Sequence, residues 1–328
     1  MLVVIALGRT TLLEPGQPLD AAAQRAGARA TASMLAAATG RHDLVITHGS
    51  APQVGLLAYE SAMVPGLAGY PLDVVEAETE GLLGYLLQQE LANAVRERDV
   101  VTLLTQVVVD AHDPAFDAPS KLVGPRLAEV DAERLVAEHG WTVKRDASGW
   151  RRAVPSPEPL AVVERRALQL LVAAGVVVIC AGGGGIPVLL EPDGSLRGVD
   201  AVIDKDLSAA LVASLLGADL LVLLTDVAAV WSDWGTAFAR PIHRASPAHL
   251  RSLGFEAGSM APKVAAACRF AERTGNRAAI GLATDLERLL SGDAGTQVAV
   301  DVPAMSWHDI SPSADVLLAA SSPWERTS

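Results

Sequence analysis

The sequence predicts an α/β protein built on a doubly wound, mainly parallel sheet, with an inserted subdomain in its middle. Three observations carry that reading. Half of the 328 residues are hydrophobic, mostly Leu, Val and Ala with few aromatics, which suits helices packed on a parallel sheet. Strand-like and helix-like segments alternate up to residue 110 and again from residue 160. Residues 111–159 break the alternation with Pro, Gly, Asp and charged side chains.

The elements follow in order. "LVVIAL" is an apolar strand that runs into a turn at Gly8-Arg9-Thr10-Thr11. Asp20 is placed to cap a helix through "AAAQRAGARATASMLAAAT", and Gly40 is a suitable residue to follow its last turn. "DLVITHG" is a second strand, residues 73–98 form a long amphipathic helix, and "DVVTLLTQVVV" is a third strand. Inside the insertion, a helix is expected near 129–139 and a hairpin with a "DASG" turn follows it. "GVVVICAGGGGIP" is a strand and a glycine loop. "VDAVIDKDLSAALVASLLG" is a short strand, a polar turn and a helix ending at Gly217. "ADLLVLLTDVAAVW" is a strand with Thr225-Asp226 at its end, "AGSMAPKVAAACRFAERTG" a loop and helix, and "RAAIGLATDLERLLSG" a last strand and helix. The segment from about 299 lacks periodicity and is expected to be a loosely ordered extension.

Composition excludes several function classes. The formal net charge is −12 and no basic stripe is present, so nucleic acid is not an expected partner. Cys180 and Cys268 are the only cysteines and neither belongs to a CxxC, which argues against a disulfide framework or thiolate zinc site and suits a cytoplasmic protein. The uncharged run 167–190 is long enough to span a membrane, but Gly182–Gly185 and Pro187 interrupt it, so no membrane association is expected. No GxxxxGK[ST], GxGxxG after a strand, HExxH or GxSxG occurs, and no metal site is expected from the dispersed histidines.

Polar and glycine clusters fall where strands end, which is where open α/β sheets bind ligands: 8–11, 48–55, 182–185, 204–206, 225–226 and 258–263. Gly182, Gly183, Gly184 and Gly185 offer successive unhindered amides that can cradle an anion; the alternative is a tight turn under close packing. "IDKD" places Lys205 between Asp204 and Asp206 at a helix start. Asp206 could cap the helix and Asp204 could pair with Lys205. Lys205 and Lys263 both open helices, where the helix dipole disfavours a cation, so a shared anionic ligand would relieve both. Phosphoryl transfer needs such a positive clamp.

These motifs resemble carbamate kinase, a branch of the amino acid kinase superfamily. The matching stretches include "HGSAPQVGLLA", "YPLDVVEAETEGLLGYLLQQEL", "PSKLVGP", "VICAGGGGIP", "AVIDKDLSAALVA", "TDVAAVW" and "LGFEAGSMAPKV", in family order over about residues 1–298. The resemblance implies a three-layer α/β/α fold with two lobes. Residues 1–200 would form an acceptor-binding lobe with the inserted lid at about 111–159, 201–298 a nucleotide-binding lobe, and 299–328 an extension. It implies a homodimer that interconverts carbamoyl phosphate plus ADP with carbamate plus ATP, using Mg2+. By the same resemblance Lys121, Lys205 and Lys263 are the catalytic lysines and Asp206 orients them. Gly8, Arg9, Thr10, Gly49, Ser50, Ala51 and Gln53 fall in the acceptor and phosphate region with Gly182–Gly184. Asp204, Thr225, Asp226, Trp231 and Met260 fall in the nucleotide region.

The sequence departs from the family pattern around the acceptor. Gly-Gly-Asn in the first turn is Gly8-Arg9-Thr10, and His-Gly-Asn-Gly-Pro-Gln is His48-Gly49-Ser50-Ala51-Pro52-Gln53. The Asp expected after "TDV" is Ala228, and "GSMGPK" carries Ala261. Hydroxyls therefore stand where carboxamides offer both donors and an acceptor. If position 9 calls for φ > 0, Arg9 there costs about 1–3 kcal/mol. Three readings stay open at this point: a phosphotransferase for another small carboxylate, an authentic carbamate kinase, and a non-catalytic relative that binds nucleotide or acyl phosphate as a partner or regulator.

Overall fold

The computed structural model describes residues 1–13, 17–64, 69–146, 149–236, 238–255 and 260–309. The chain opens with β1 (Leu2–Ala6), α1 (Arg9–Leu12), α2 (Ala21–Thr39), β2 (Asp43–Thr47), α3 (Ala51–Ala62) and α4 (Leu72–Ala94). Next come β3 (Val100–Leu103), β4 (Gln106–Val108), β5 (Lys121–Leu127), α5 (Glu129–His139), β6 (Val143–Asp146), β7 (Gly149–Val154), β8 (Ala161–Val162) and α6 (Arg165–Ala173). After these lie β9 (Val177–Cys180), a 3₁₀ turn at Gly182–Gly184, β10 (Ile186–Leu190), β11 (Leu196–Gly198), α7 (Lys205–Leu216), β12 (Leu220–Thr225) and β13 (Trp231–Ser232). The last elements are β14 (Arg240–Ala245), α8 (Pro247–Ser252), α9 (Met260–Thr274), β15 (Arg277–Leu282), α10 (Leu286–Ser291), β16 (Thr296–Val298) and β17 (Ser306–Trp307).

The main sheet runs in the order β13-β14-β16-β15-β12-β1-β2-β9-β3, with β17 added to β14. Its six central strands, β15 to β3, are all parallel. Alternation along β1 divides the core. Val3 and Ile5 join Leu35 of α2 and Leu83 and Leu87 of α4 on one face. Val4 and Ala6 join Ala209 and Ala213 of α7 and Phe270 of α9 on the other. Burying each large side chain of this kind stabilises the fold by about 1.5–3 kcal/mol. The three-layer α/β/α arrangement expected from the sequence is therefore present.

Sequence order and sheet order diverge at β1. The chain moves from β1 to β2 on one side and returns as β12 on the other, so the crevice past the ends of β1, β2 and β12 is a topological switch point.

Several local expectations hold. Asp20 caps α2 by accepting from the Ala23 amide, and Gly217 ends α7 at φ 63°. Helix α5 covers the expected 129–139, and β6 and β7 form the expected hairpin, although residues 147–148 of its turn lie outside the described residues. Strands β5, β7 and β6 form their own small sheet, the framework of the insertion.

Others are corrected. Gly40 follows α2 at φ −71°, so its left-handed freedom is unused. "DVVTLLTQVVV" is two strands: β3 edges the main sheet, while β4 leaves it to pair with β10 and β8 in a four-stranded sheet. Residues 199–204 are not a strand, because α7 follows directly from a loop. Helix α4 is not a simple amphipathic helix. It buries Leu and Val together with Glu76, Thr79, Glu80 and Glu90, since α2, β3 and the 3₁₀ turn cover it from several sides. The segment after 299 is partly built into the fold: β17 pairs with β14, Arg240 lies 4.3 Å over the Trp307 ring, and His308 meets the Gly295 carbonyl at 2.8 Å. Residues 310–328 lie outside the described residues. No helix among the described residues is long and apolar enough to cross a membrane.

Candidate active site

The crevice holds a cavity of about 210 Å3 lined by Gly8, Gly49–Pro52, Lys121, Gly183, Asp204–Asp206, Leu224–Asp226, Pro262 and Lys263. Most come from the end of a strand or the start of a helix at the switch point, Gly183 from the 3₁₀ turn after β9, and Lys121 from the first residue of β5 in the insertion. Gly8, between β1 and α1, packs so closely on β12 that a Cβ there would lie 2.9 Å from the Leu224 carbonyl oxygen. Gly49 follows β2, and a Cβ there would lie 3.2 Å from Cδ of Lys205, whose stem passes over it.

Asp206 organises the cationic end. Lys205 Nζ donates to Asp206 Oδ1 at 2.6 Å and Lys263 Nζ donates to Oδ2 at 2.8 Å. Asp206 is 2% exposed. Burial pushes its carboxyl up, but the two ammoniums outweigh burial and hold it down at about 2. Burial lowers the Lys205 ammonium, with Asp206 opposing and Lys263 assisting that shift.

Asp204 caps α7, accepting from the Asp206 and Leu207 amides on Oδ1, and its Oδ2 lies 3.4 Å from Lys121 Nζ. The two aspartates thus exchange the roles that helix-start chemistry alone suggests: Asp204 is the cap, and Asp206 is the partner of Lys205. The dipole conflict at Lys205 is met by this carboxylate.

Lys121 arrives from β5, at the base of the insertion, and donates to the Ile203 carbonyl at 3.0 Å. Its placement depends on a backbone crossing between α3 and β5. A Cβ on Gly55 would fall 1.9 Å from Gly124 Cα and N, and Gly124 itself has φ +75°. Two glycines are needed there so that the insertion can sit on α3 with Lys121 over the cavity.

The glycine turn is corrected in its chemistry. Gly183 N–H donates to the His48 carbonyl, Gly184 N–H to Ala181 O and Gly185 N–H to Gly182 O. The Gly182 amide supports the Glu80 carboxyl. All four amides therefore serve the protein, and of the four glycines only Gly183 lines the cavity. Close packing explains them. A Cβ on Gly183 would meet Glu76 Oε2 at 2.2 Å and Ser50 Oγ at 2.3 Å, and one on Gly184 the Ile203 carbonyl at 2.4 Å.

The structure brings Gly8, Gly49, Ser50, Ala51, Lys121, Gly183, Asp204, Lys205, Asp206, Thr225, Asp226 and Lys263 to one cavity. It leaves Gln53 buried behind, donating to Gln24 Oε1 at 3.3 Å, because the α3 turn carries it away from the crevice. Trp231 is 8% exposed in the edge strand β13, stacked edge-on against Trp234 at 5.8 Å, and does not line the cavity. Met260 starts α9 and packs on the core instead. Gly182 and Gly184 also stand off the cavity wall. Arg9 and Thr10 form the first turn of α1, so Arg9 is helical and carries no left-handed strain; their side chains lie outside the described residues. Residues 256–259, which include the start of the cluster 258–263, lie outside them too.

Sequence reasoning missed the buried floor. Glu76 is fully buried, and burial raises its carboxyl to about 8, against the opposing pull of Lys121, Ser50 and Thr79. Burial likewise raises Glu80 well above the ordinary range, though it accepts from the Thr105 amide at 2.9 Å. Burial lowers His48 to about 4, so its ring is uncharged. Glu76 and Glu80 lie in the stretch "YPLDVVEAETEGLLGYLLQQEL" that carries the family resemblance, but two charged residues four apart on a helix also fit a solvated face.

A lysine-lined anion site at the switch point of a doubly wound sheet defines a class, an α/β protein that binds phosphate-bearing ligands. Sequence comparison agrees. The profile of the Amino acid kinase family matches residues 1–281. The chain is 46% identical over 309 residues to carbamate kinase of Haemophilus influenzae, covering 94% of this chain and 100% of that one. It is 44% identical to carbamate kinase of Pyrococcus furiosus, covering 90% and 98% of the two chains. Carbamate kinase from Giardia lamblia bound to AMP-PNP superposes with a TM-score of 0.83 at 36% identity, covering 92% of this chain and 98% of that one. The chain belongs to the amino acid kinase family.

Proposed function

We propose that this chain is a carbamate kinase-type phosphotransferase that moves a phosphoryl group between carbamoyl phosphate and ADP, giving carbamate and ATP. The observation that carries it is the convergence of Lys121, Lys205 and Lys263 with Asp206 on one cavity. A phosphoryl group in transfer spreads negative charge over its equatorial oxygens, and fixed cations stabilise that charge without reorganising. Asp206 holds Lys205 and Lys263 side by side, and Lys121, carried by the inserted subdomain, stands against Ile203 and Asp204 at the start of the same helix.

The acceptor side is the wall made by Gly8 and Gly49–Ala51, and the nucleotide side is the wall made by Thr225 and Asp226. A relative of this chain binds AMP-PNP. Among the described residues no three Asp, Glu, His or Cys converge as a metal cage. Asp226, an exposed carboxylate at the end of β12, would be the residue to assist magnesium carried mainly by nucleotide phosphates. Bound there, the ion neutralises charge on the phosphates.

Leu82, Tyr85 and Leu104 are 37%, 52% and 49% exposed beside the edge strand β3, and we read this apolar face as the one a second copy covers in a homodimer. The first test is ATP formation from ADP with carbamoyl phosphate against acetyl phosphate. A clear preference in kcat/KM for carbamoyl phosphate is expected; equal use of both would overturn the carbamate assignment. Reading the chain as a non-catalytic relative finds no support, because each of the three lysines is in place and not displaced from the cavity.

A further inference from the structure

Behind the acceptor wall, Ser50 Oγ, Glu76 Oε2 and the backbone of Gly183 meet. Ser50 Oγ and Glu76 Oε2 lie 3.2 Å apart, and both face Gly183 where a Cβ would be. Ser50 and Gly183 line the cavity, and Glu76 stands directly behind them without touching it. Two features of Glu76 define its protonation. Among the described residues its buried Oε1 has no hydrogen-bond partner, and no Lys or Arg there forms an ion pair with the carboxyl. Its Oε2 faces two hydroxyls, Ser50 at 3.2 Å and Thr79 at 3.4 Å, and the Thr79 hydroxyl already donates to the Glu76 carbonyl.

An ionised carboxylate in that setting is poorly compensated, whereas a neutral acid fits. Its proton belongs on Oε2, since an O–H on Oε1 would find no acceptor. From Oε2 it donates to Ser50 Oγ, and the Ser50 hydroxyl hydrogen is then free to turn into the cavity.

We propose that Glu76 is a positioning residue of the acceptor site: as a neutral acid it orients Ser50 as a hydrogen-bond donor to an anionic oxygen of the acyl phosphate. The identity of that ligand rests on the proposed phosphotransferase reading. Ionisation reverses the bond. Ser50 then donates to Glu76, presents lone pairs to the anion, and a negative charge stands behind Gly183. The buried carboxyl, raised to about 8, places that reversal in the mildly alkaline range.

The groups around Glu76 agree with this sign. Lys121 from β5 pulls the carboxyl down, and its ammonium is engaged by Ile203 O and Asp204. Glu80 lies one turn along α4 and is itself raised. His48, at the end of β2, is uncharged. At the start of α4, Asp200 accepts from the Leu72 amide and pairs with Arg152, while Arg25 and Arg29 of α2 pair with Glu90 toward the far end.

The test combines Glu76→Gln and Ser50→Ala with two readouts. Gln is isosteric and its amide donates to Ser50 at every pH, so it mimics the neutral acid. In the wild type, KM for carbamoyl phosphate is expected to rise at least about fivefold between about pH 7 and about pH 9, as expected for loss of one proton. Glu76→Gln is expected to show no such rise in KM over the same pH range. Ser50→Ala raises KM at about pH 7 and abolishes the step. The second readout is the infrared difference between wild type and Glu76→Gln, which needs no turnover. A protonated-carboxyl band is expected at about pH 7 and lost by about pH 9. A carboxylate signature at about pH 7, or a Glu76→Gln variant whose KM rises as the wild type does, would overturn the proposal. Failure of the wild type to form ATP at all would instead overturn the phosphotransferase reading, and the infrared result would still decide the state of Glu76.

Discussion

At the lysine end of the cavity each buried charge has a counter-charge: Lys205 and Lys263 share Asp206, and Lys121 lies beside Asp204. Behind Gly183, Glu76 and Glu80 are buried among hydroxyls and amides, and among the described residues no cation is paired to them. Two buried carboxyls, one lining the cavity and one just behind it, come out in different charge states, Asp206 ionised and Glu76 neutral. Asp206 is held at about 2 and Glu76 is raised to about 8. The difference shows how one small cavity can clamp a phosphoryl group at one end and still approach an anion at the other without repelling it. Ion pairing keeps the charges that the clamp needs, and burial without pairing removes those that would oppose it.

The comparison breaks most severely if Asp206 loses its charge. Asp206→Asn leaves two buried ammoniums without a counter-charge, which costs about 3–5 kcal/mol when a buried pair is broken from one side. Denaturant unfolding should show that loss, and turnover should fall by about 10³-fold as the lysines separate. Retained turnover in a stable Asp206→Asn protein would show that the clamp does not depend on the pairing.

Gly55→Ala tests the lid without altering any charge. With Gly124 only 1.9 Å from the added Cβ, β5 must move and take Lys121 with it. A displacement of about 1 Å at a reacting group costs about 10²-fold in rate, so kcat should drop by about that factor. A variant with wild-type kcat would detach the insertion from the chemistry.

The two carboxyls also divide the pH-stability curve. Asp206 has a folded-state pKa of about 2, below its ordinary 3.8, so its contribution is full above the ordinary value and lost as pH falls toward 2. Glu76 is raised from 4.5 to about 8, so its contribution is present below the ordinary value and lost as pH rises through 8. Thermal unfolding should therefore show Glu76→Gln more stable than wild type at about pH 9 and nearly level with it at about pH 4. The reverse order would refute the assignment of Glu76 as the buried neutral acid.

How far this was legible beforehand differs between the two ends. The lysine end could be read because a Lys at a helix start conflicts with the dipole, and Lys205 and Lys263 both do so. The alternation of strands and helices likewise located the sheet and the insertion. The floor could not be read. Glu76 and Glu80 fit a solvated helix face by spacing, and only the packing of α2, β3 and the glycine turn around α4 puts them inside. The four glycines suggested an anion cradle, yet their amides are engaged within the protein and their missing side chains make room for Glu76, Ser50 and Ile203. Gln53 and Trp231 were placed by motif position, and helical phase and strand pairing turn them elsewhere. That β4 leaves the main sheet after Leu103 is marked only by Thr105 and Gln106, a polar pair that a single strand also accommodates.

A smaller effect sharpens the acceptor end. Ser50→Asn alone adds atoms to a space filled by Glu76, so KM for carbamoyl phosphate should rise several-fold, on the order of the 1–3 kcal/mol typical of overpacking. Glu76→Ala in the same chain should recover part of that loss. Additive effects in the double-mutant cycle would show that the two side chains do not share the site. Smallest of all in catalysis, Leu82→Asp should shift the sedimentation coefficient toward a monomer while changing kcat by no more than about twofold, since that face lies away from the cavity.

The most direct measurement is ATP formation from carbamoyl phosphate and ADP with magnesium, run on the wild type and on Lys205→Ala, with nucleotide binding followed by calorimetry. ATP formed by the wild type and lost by about 10³-fold or more in Lys205→Ala, with nucleotide still bound, is the expected result. ATP formed at the same rate without Lys205, or none formed by the wild type, would contradict it.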